Sequence, residues 1–165
     1  MGTLMSEKHI NLINSELLAE RLRNLGAEVT LFRTTNENNY TLHQRVALSR
    51  ALRPDMFISM HANSVAETTN ATTIRGFTVW YRNYASYQAA RTMLNVLHYV
   101  NPGTNRWSNP NQANFYVCRP TWTPSILLET SFMSNIEDFA WMIDPAAQAR
   151  LADETVAALV SYFTS

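Results

Sequence analysis

The chain has 165 residues, 46% of them hydrophobic and 16% charged, a balance that suits one globular domain with a core and excludes a disordered segment. Its 13 Lys and Arg offset its 13 Asp and Glu, so there is no basic footprint for nucleic acid or anionic lipid. The single cysteine, Cys118, excludes an internal disulfide and a thiolate metal cage, and in "FYVCRP" it reads as a small buried hydrophobe rather than a nucleophile.

No apolar stretch approaches membrane-spanning length, and "MGTLMSEKHINL" has no signal-peptide core. In "SEKHINLINSELLAERLRNLG", Ile10, Ile13, Leu17, Leu18, Leu22 and Leu25 recur at helical spacing, with Ser6 as cap and Gly26 as stop. "AEVTLFRT" alternates like a strand, with Val29 and Leu31 on one face. "TLHQRVALSRALRP" predicts a helix opened by a Thr41–Gln44 capping box and closed by Pro54. "MFISMHAN", "GFTVWYR", "NFYVCR" and "SILLET" predict strands, and "SYQAARTMLNVLHYVNPG" predicts a helix ended by Pro102 and Gly103. Ser134 and Glu137 repeat the capping-box pattern, and Asp144-Pro145 opens a last helix through "AAQARLADETVAALVSYF". Residues 64–75 and 104–113 read as the least ordered stretches. The alternation argues for an α/β domain, a sheet with helices on both faces, without repeat or linker.

Two of the predicted strands end alike. "MFISMHAN" runs apolar and then presents His61; "SILLET" runs apolar and then presents Glu129. Chemistry in open α/β sheets gathers at the carboxyl ends of strands, so both side chains are expected at one edge. Glu7, at the start of the first helix, is the third candidate. Each has a plain structural reading. Glu7 suits a helix start through the dipole alone, His61 suits a satisfied interior site, and Glu129 suits a buried ion pair with Arg33 or Arg45. Together, an imidazole and two carboxylates at one edge are what a zinc hydrolase needs.

The succession "SEKHINL", "RTT", "LHQRVALSRALRPDMFISMHANS", "RGFTVWYRN" and "PSILLETSFMSN" resembles the zinc-dependent N-acetylmuramoyl-L-alanine amidases of the amidase-3 type, over essentially the whole chain. "FISMHAN" and "LLETSFMSN" are the most specific parts. The resemblance implies an α/β fold with a twisted, largely parallel mixed sheet, related to the zinc exopeptidases. It implies cleavage of the amide between N-acetylmuramic acid and the L-alanine of the peptidoglycan stem, by zinc-activated water with a glutamate general acid/base. Glu7 and His61 match metal ligands, and Glu129 matches the catalytic glutamate. Peptidoglycan is then the partner, with no nucleic acid, no membrane insertion, a monomeric state and an activator left open. The site of action is the bacterial cell envelope, periplasmic or secreted.

The chain departs from the family pattern in one place that matters. The family's first histidine ligand belongs to a "GHGG" turn upstream of the "EK", and here only "MGTLMS" precedes Glu7. Residues 1–165 are therefore expected to be a single amidase domain, N-terminally incomplete. His9, His43 and His98 are not expected to substitute. Ser131 stands where the family has glycine, and "SVAETTNATTI", with Glu67, is too short for the helical plug some relatives carry. A non-catalytic wall-binding or regulatory relative is the alternative reading, and a zinc peptidase a third. Arg119, Asn63 and Trp122 are candidates for lining a groove.

Overall fold

The computed structural model of the protein describes residues 5–37, 40–101 and 107–165. Helix α1 spans Glu7–Asn24. Gly26 ends it at φ 89°, a left-handed conformation, with its amide donating to Arg23 and the Ala27 amide donating back to Leu22. Helix α2 spans Leu42–Leu52, and both bonds of the Thr41–Gln44 capping box form. It closes at Arg53, the non-glycine residue with positive φ (49°) among those described, immediately before Pro54.

Four strands follow: β1 Phe57–Asn63, β2 Thr78–Tyr81, β3 Asn111–Gln112 and β4 Ser125–Phe132. They lie in the order β1-β4-β2-β3. β1 pairs with β4, and β2 with β3, in parallel, while β2 and β4 run antiparallel. Helix α3 (Tyr84–Leu97) links β2 to the β3 region, and α4 (Ile136–Met142) and α5 (Pro145–Phe163) follow β4. The expected mixed, mostly parallel sheet with helices on both faces is present.

Alternation along the strands separates two cores. Ile58, Met60, Val79, Ile126 and Leu128 face Leu18 of α1, Ala89, Met93, Leu94 and Leu97 of α3, and Leu151, Ala158 and Leu159 of α5. The opposite face carries Phe57, Leu127 and Trp80 beneath Val46 of α2 and the turn holding Val117 and Cys118. Cys118 is fully buried there and its thiol is pushed up to about 12 by desolvation, which fits the inert reading.

Three expectations need correction. "AEVTLFRT" is not a strand: residues 27–33 have no ladder partner among the described residues, Val29 and Leu31 are only half-buried, and the Val29 carbonyl accepts from the Arg23 guanidinium. "NFYVCR" is not a strand either. Tyr116–Cys118 forms a 3₁₀ turn, because Arg119 reaches back to the side chain and carbonyl of Asn114 and closes the segment on itself. The cap of α4 is Asn135, which accepts from the amides of Glu137 and Asp138, whereas the Ser134 hydroxyl accepts from Val65. The short β3 lies inside a stretch read as least ordered, and residues 64–75 contain a 3₁₀ turn whose Ala71 carbonyl takes a bond from Asn135. Pro102 and Gly103 lie outside the described residues. Asp144 caps α5 as expected, accepting from the Ala146 amide.

Candidate active site

The register of the sheet assembles the site. β1 and β4 run in the same direction and pair Phe57 with Ser125, which brings His61 opposite Glu129 four residues on. β2, running the other way, sets Thr78 against Glu129 from the far side. Side chains at His61, Glu129 and Thr78 therefore emerge on one face at one edge.

Glu7 comes to this edge from the first turn of α1. Its Oε1 lies 2.9 Å from His61 Nδ1, and it accepts from Asn11 Nδ2 (3.1 Å) and the Ala62 amide (3.3 Å). The His61 bond is the main reason the Glu7 carboxyl sits below its ordinary range, helped by Ala62 and Asn11 and opposed by desolvation. Asn11 is the residue one turn further along α1, so helical spacing itself holds the carboxylate in place.

Glu129 is different. Its Oε2 is buried with no hydrogen-bond partner, and burial raises its carboxyl to about 7, the attraction of His61 pulling down and the charge of Glu7 pushing up. The charges that act on it are those of its two site neighbours, not an arginine. Arg33 donates to the carbonyls of Thr35 and Lys8, and Arg45 Nε donates to that of Tyr40. The ion-pair reading of Glu129 with these residues therefore has no counterpart in the geometry.

Glu7 and His61 offer a carboxylate oxygen and an imidazole nitrogen facing each other, the donor types zinc takes. They fit two positions of a zinc set. Among the described residues no group of three His, Cys, Asp or Glu side chains is placed to close a metal cage. His9 Nδ1 is engaged by Ser6 Oγ at 2.7 Å, the His43 ring lies against Tyr116, and the His98 ring against Tyr99. Of the groove candidates, Asn63 ends β1 near His61, with its carbonyl taking the Met133 amide. Trp122 precedes β4, at the opposite edge, beneath the Arg50 guanidinium.

Sequence reasoning missed the group that fixes this edge. Asp138, fully buried in the first turn of α4, accepts from the amides of Gly76 (2.8 Å) and Phe132 (3.0 Å), from Asn101 Nδ2 (3.0 Å) and from Arg75 Nε (3.2 Å). It thereby ties the lead into β2 to the end of β4, on either side of Glu129. Asn101 also donates to Ser131 Oγ at 2.6 Å, so the buried Ser131 hydroxyl is absorbed into this network. An acidic residue in a helix's first turn was the available signal, but it reads as a dipole effect from sequence alone.

Comparison with known proteins places this geometry. The family model described as N-acetylmuramoyl-L-alanine amidase matches residues 1–161. The N-acetylmuramoyl-L-alanine amidase LytC of Bacillus subtilis is 28% identical over 168 residues, covering 99% of this chain and 32% of LytC, so the chain spans about a third of that relative. The catalytic domain of CwlV, an N-acetylmuramoyl-L-alanine amidase from Bacillus (Paenibacillus) polymyxa var. colistinus, is similar at TM-score 0.87 and 28% identity, over 98% of this chain and 87% of that one. An N-acetylmuramoyl-L-alanine amidase from Clostridium difficile 630 gives TM-score 0.88 and 28% identity, over 98% and 86%. A sheet whose parallel strands set His61 opposite Glu129, in a chain matched along almost its whole length in this way, identifies the chain as a member of the amidase-3 type N-acetylmuramoyl-L-alanine amidase family.

Proposed function

We propose that the chain hydrolyses the amide between the lactyl group of N-acetylmuramic acid and the L-alanine of the peptidoglycan stem, acting in the cell envelope. The observation that carries this reading is the pairing of His61 with Glu129 in register, with Glu7 at 2.9 Å from His61. Glu7 and His61 are the residues that would hold a zinc ion, which when bound supplies positive charge to the amide carbonyl. Glu129 is the general base and acid. Its partly desolvated carboxyl, at about 7, is matched to taking a proton from the attacking water and returning it to the departing amine near neutral pH. Asn11 and the Ala62 amide hold Glu7 in place while this happens.

The test uses purified muropeptide and the zinc-loaded chain. Glu129→Gln keeps the size of the side chain but cannot accept a proton. It should cost about 10²–10⁴-fold in rate with zinc content unchanged. His61→Ala should lose metal and activity together. Unchanged turnover per folded Glu129→Gln molecule would overturn the assignment, and hydrolysis of a peptide bond within the stem, with the lactyl amide left intact, would make the chain a peptidase. One observation favours a second reading, a wall-binding relative without turnover: two donors, not three, meet among the described residues. In that case muropeptide would bind and no amine would appear.

A further inference from the structure

The face of the sheet that carries Glu129 continues into an aromatic shelf that amide hydrolysis does not use. Thr78 lies opposite Glu129, and the next residue on that face of β2 is Trp80. Strand spacing of about 5 Å and a rise of about 3.3 Å per residue set the Trp80 backbone about 8 Å from that of Glu129. The indole Nε1 donates to Thr78 Oγ1 at 3.2 Å, which turns the ring along the strand toward Glu129.

Phe115 is seated edge-on against that indole, with ring centroids 5.3 Å apart and planes at 84°. The ring is 41% exposed, yet its backbone is fixed. The buried Val117 and Cys118 anchor the turn from below, and Arg119 bonds to the Asn114 side chain and carbonyl on its flank. The Arg119 guanidinium is held 4.9 Å above the Tyr116 ring. The shelf thus presents flat apolar faces, and the guanidinium of Arg119, four residues on from Phe115, is engaged with Asn114 and Tyr116. That chemistry suits the C–H face of an uncharged sugar ring better than a carboxylate-bearing peptide.

We propose that Phe115, seated on Trp80, is a saccharide subsite that takes a hexosamine ring of the glycan strand on the sugar side of the cleaved amide. The proposal rests on the amidase reading for which amide is cut, but its test does not. The disaccharide of two β-1,4-linked N-acetylglucosamine rings has neither a carboxylate nor a stem amide, so it can be titrated against the whole chain without turnover. Binding would be read by calorimetry and by tryptophan fluorescence, and compared with free stem peptide. Saturable disaccharide binding is expected, weakened about tenfold by Phe115→Ala and restored by Phe115→Tyr. Phe115→Ala should lower the melting temperature slightly through the lost contact with Trp80, and Phe115→Tyr should leave it unchanged while keeping the binding. No saturable binding, equal binding by Phe115→Ala, or binding of the free peptide alone each overturns the subsite. A chain that binds disaccharide through Phe115 but releases no amine from muropeptide keeps the subsite and refutes the amidase reading. Full turnover with an unchanged KM in Phe115→Ala does the opposite.

Discussion

His61 and Glu129 stand opposite each other on neighbouring parallel strands, and Glu7 reaches the same point from a helix 54 residues earlier in the chain than His61. The convergence is a property of strand order. Because β4 lies directly beside β1, the two apolar runs end side by side. Glu7 is hydrogen-bonded on several sides and Glu129 keeps a bare buried oxygen, so the two carboxyls are pushed in opposite directions, Glu7 down and Glu129 up.

Metal affinity follows from the donor count. With Glu7 and His61 as the paired donors, the 165-residue chain is expected to bind zinc with a Kd of about a micromolar or weaker. Competition with a chromogenic chelator measures it, and either Glu7→Gln or His61→Ala should remove what binding there is. Nanomolar affinity would reveal a further donor. His9 would be the first to examine, and it would have to leave Ser6 to serve.

The Glu129 carboxyl predicts a pH signature in the metal-free chain. Its folded value, about 7, lies above the ordinary 4.5. Below the ordinary value both folded and unfolded chains hold the proton, and Glu129 costs nothing. As pH rises through that window the unfolded chain releases the proton first, so stability falls, and above the folded value the full penalty is present. The Glu129→Gln variant does not titrate there. Its melting temperature relative to the parent should therefore rise between about pH 4 and about pH 8 and level off outside that span. Melts with chelator present would decide it, and a flat difference would mean that Glu129 ionises freely in the fold.

Asp138 should be the costliest polar residue to truncate. Removing its carboxylate strands the Gly76 and Phe132 amides, leaves Asn101 Nδ2 with Ser131 in place of two acceptors, and takes a carboxylate away from Arg75. Asp138→Ala is expected to lose about 3–5 kcal/mol in urea unfolding. The Asn variant should lose less, since it retains one acceptor oxygen. A loss below about 1 kcal/mol for Asp138→Ala would show that water replaces the network at little cost.

Much of this architecture is written locally. Thr41 with Gln44, Gly26 and Asp144 each act through bonds to residues within five positions, so sequence spacing is enough to find them. His61 and Glu129 were legible because each follows an apolar run expected at the same sheet edge, and because "FISMHAN" and "LLETSFMSN" carry the family resemblance. "AEVTLFRT" was not, because alternation states a preference while a ladder needs a neighbour. "NFYVCR" was lost to a competing local closure by Arg119 and Asn114. Asp138 was invisible for a further reason. Its partners come from residues 75–76, 101 and 132, and nothing in a helix's first turn says which distant amides will arrive there.

The place of β4 in the sheet has a consequence during synthesis. β1 and β2 meet only through β4, which begins at Ser125, so the sheet has no centre until most of the chain has left the ribosome. At about 5–20 residues per second, some seconds separate the appearance of β1 from that of its partner. Until then Ile58 and Val79 have α1 and α3 to pack on but lack Ile126 and Leu128 between them, and Phe57 lacks Leu127. A chain stopped just before Ser125 would hold β1 with no strand beside it and β2 paired only to the two-residue β3, and would be a natural substrate for a holding chaperone.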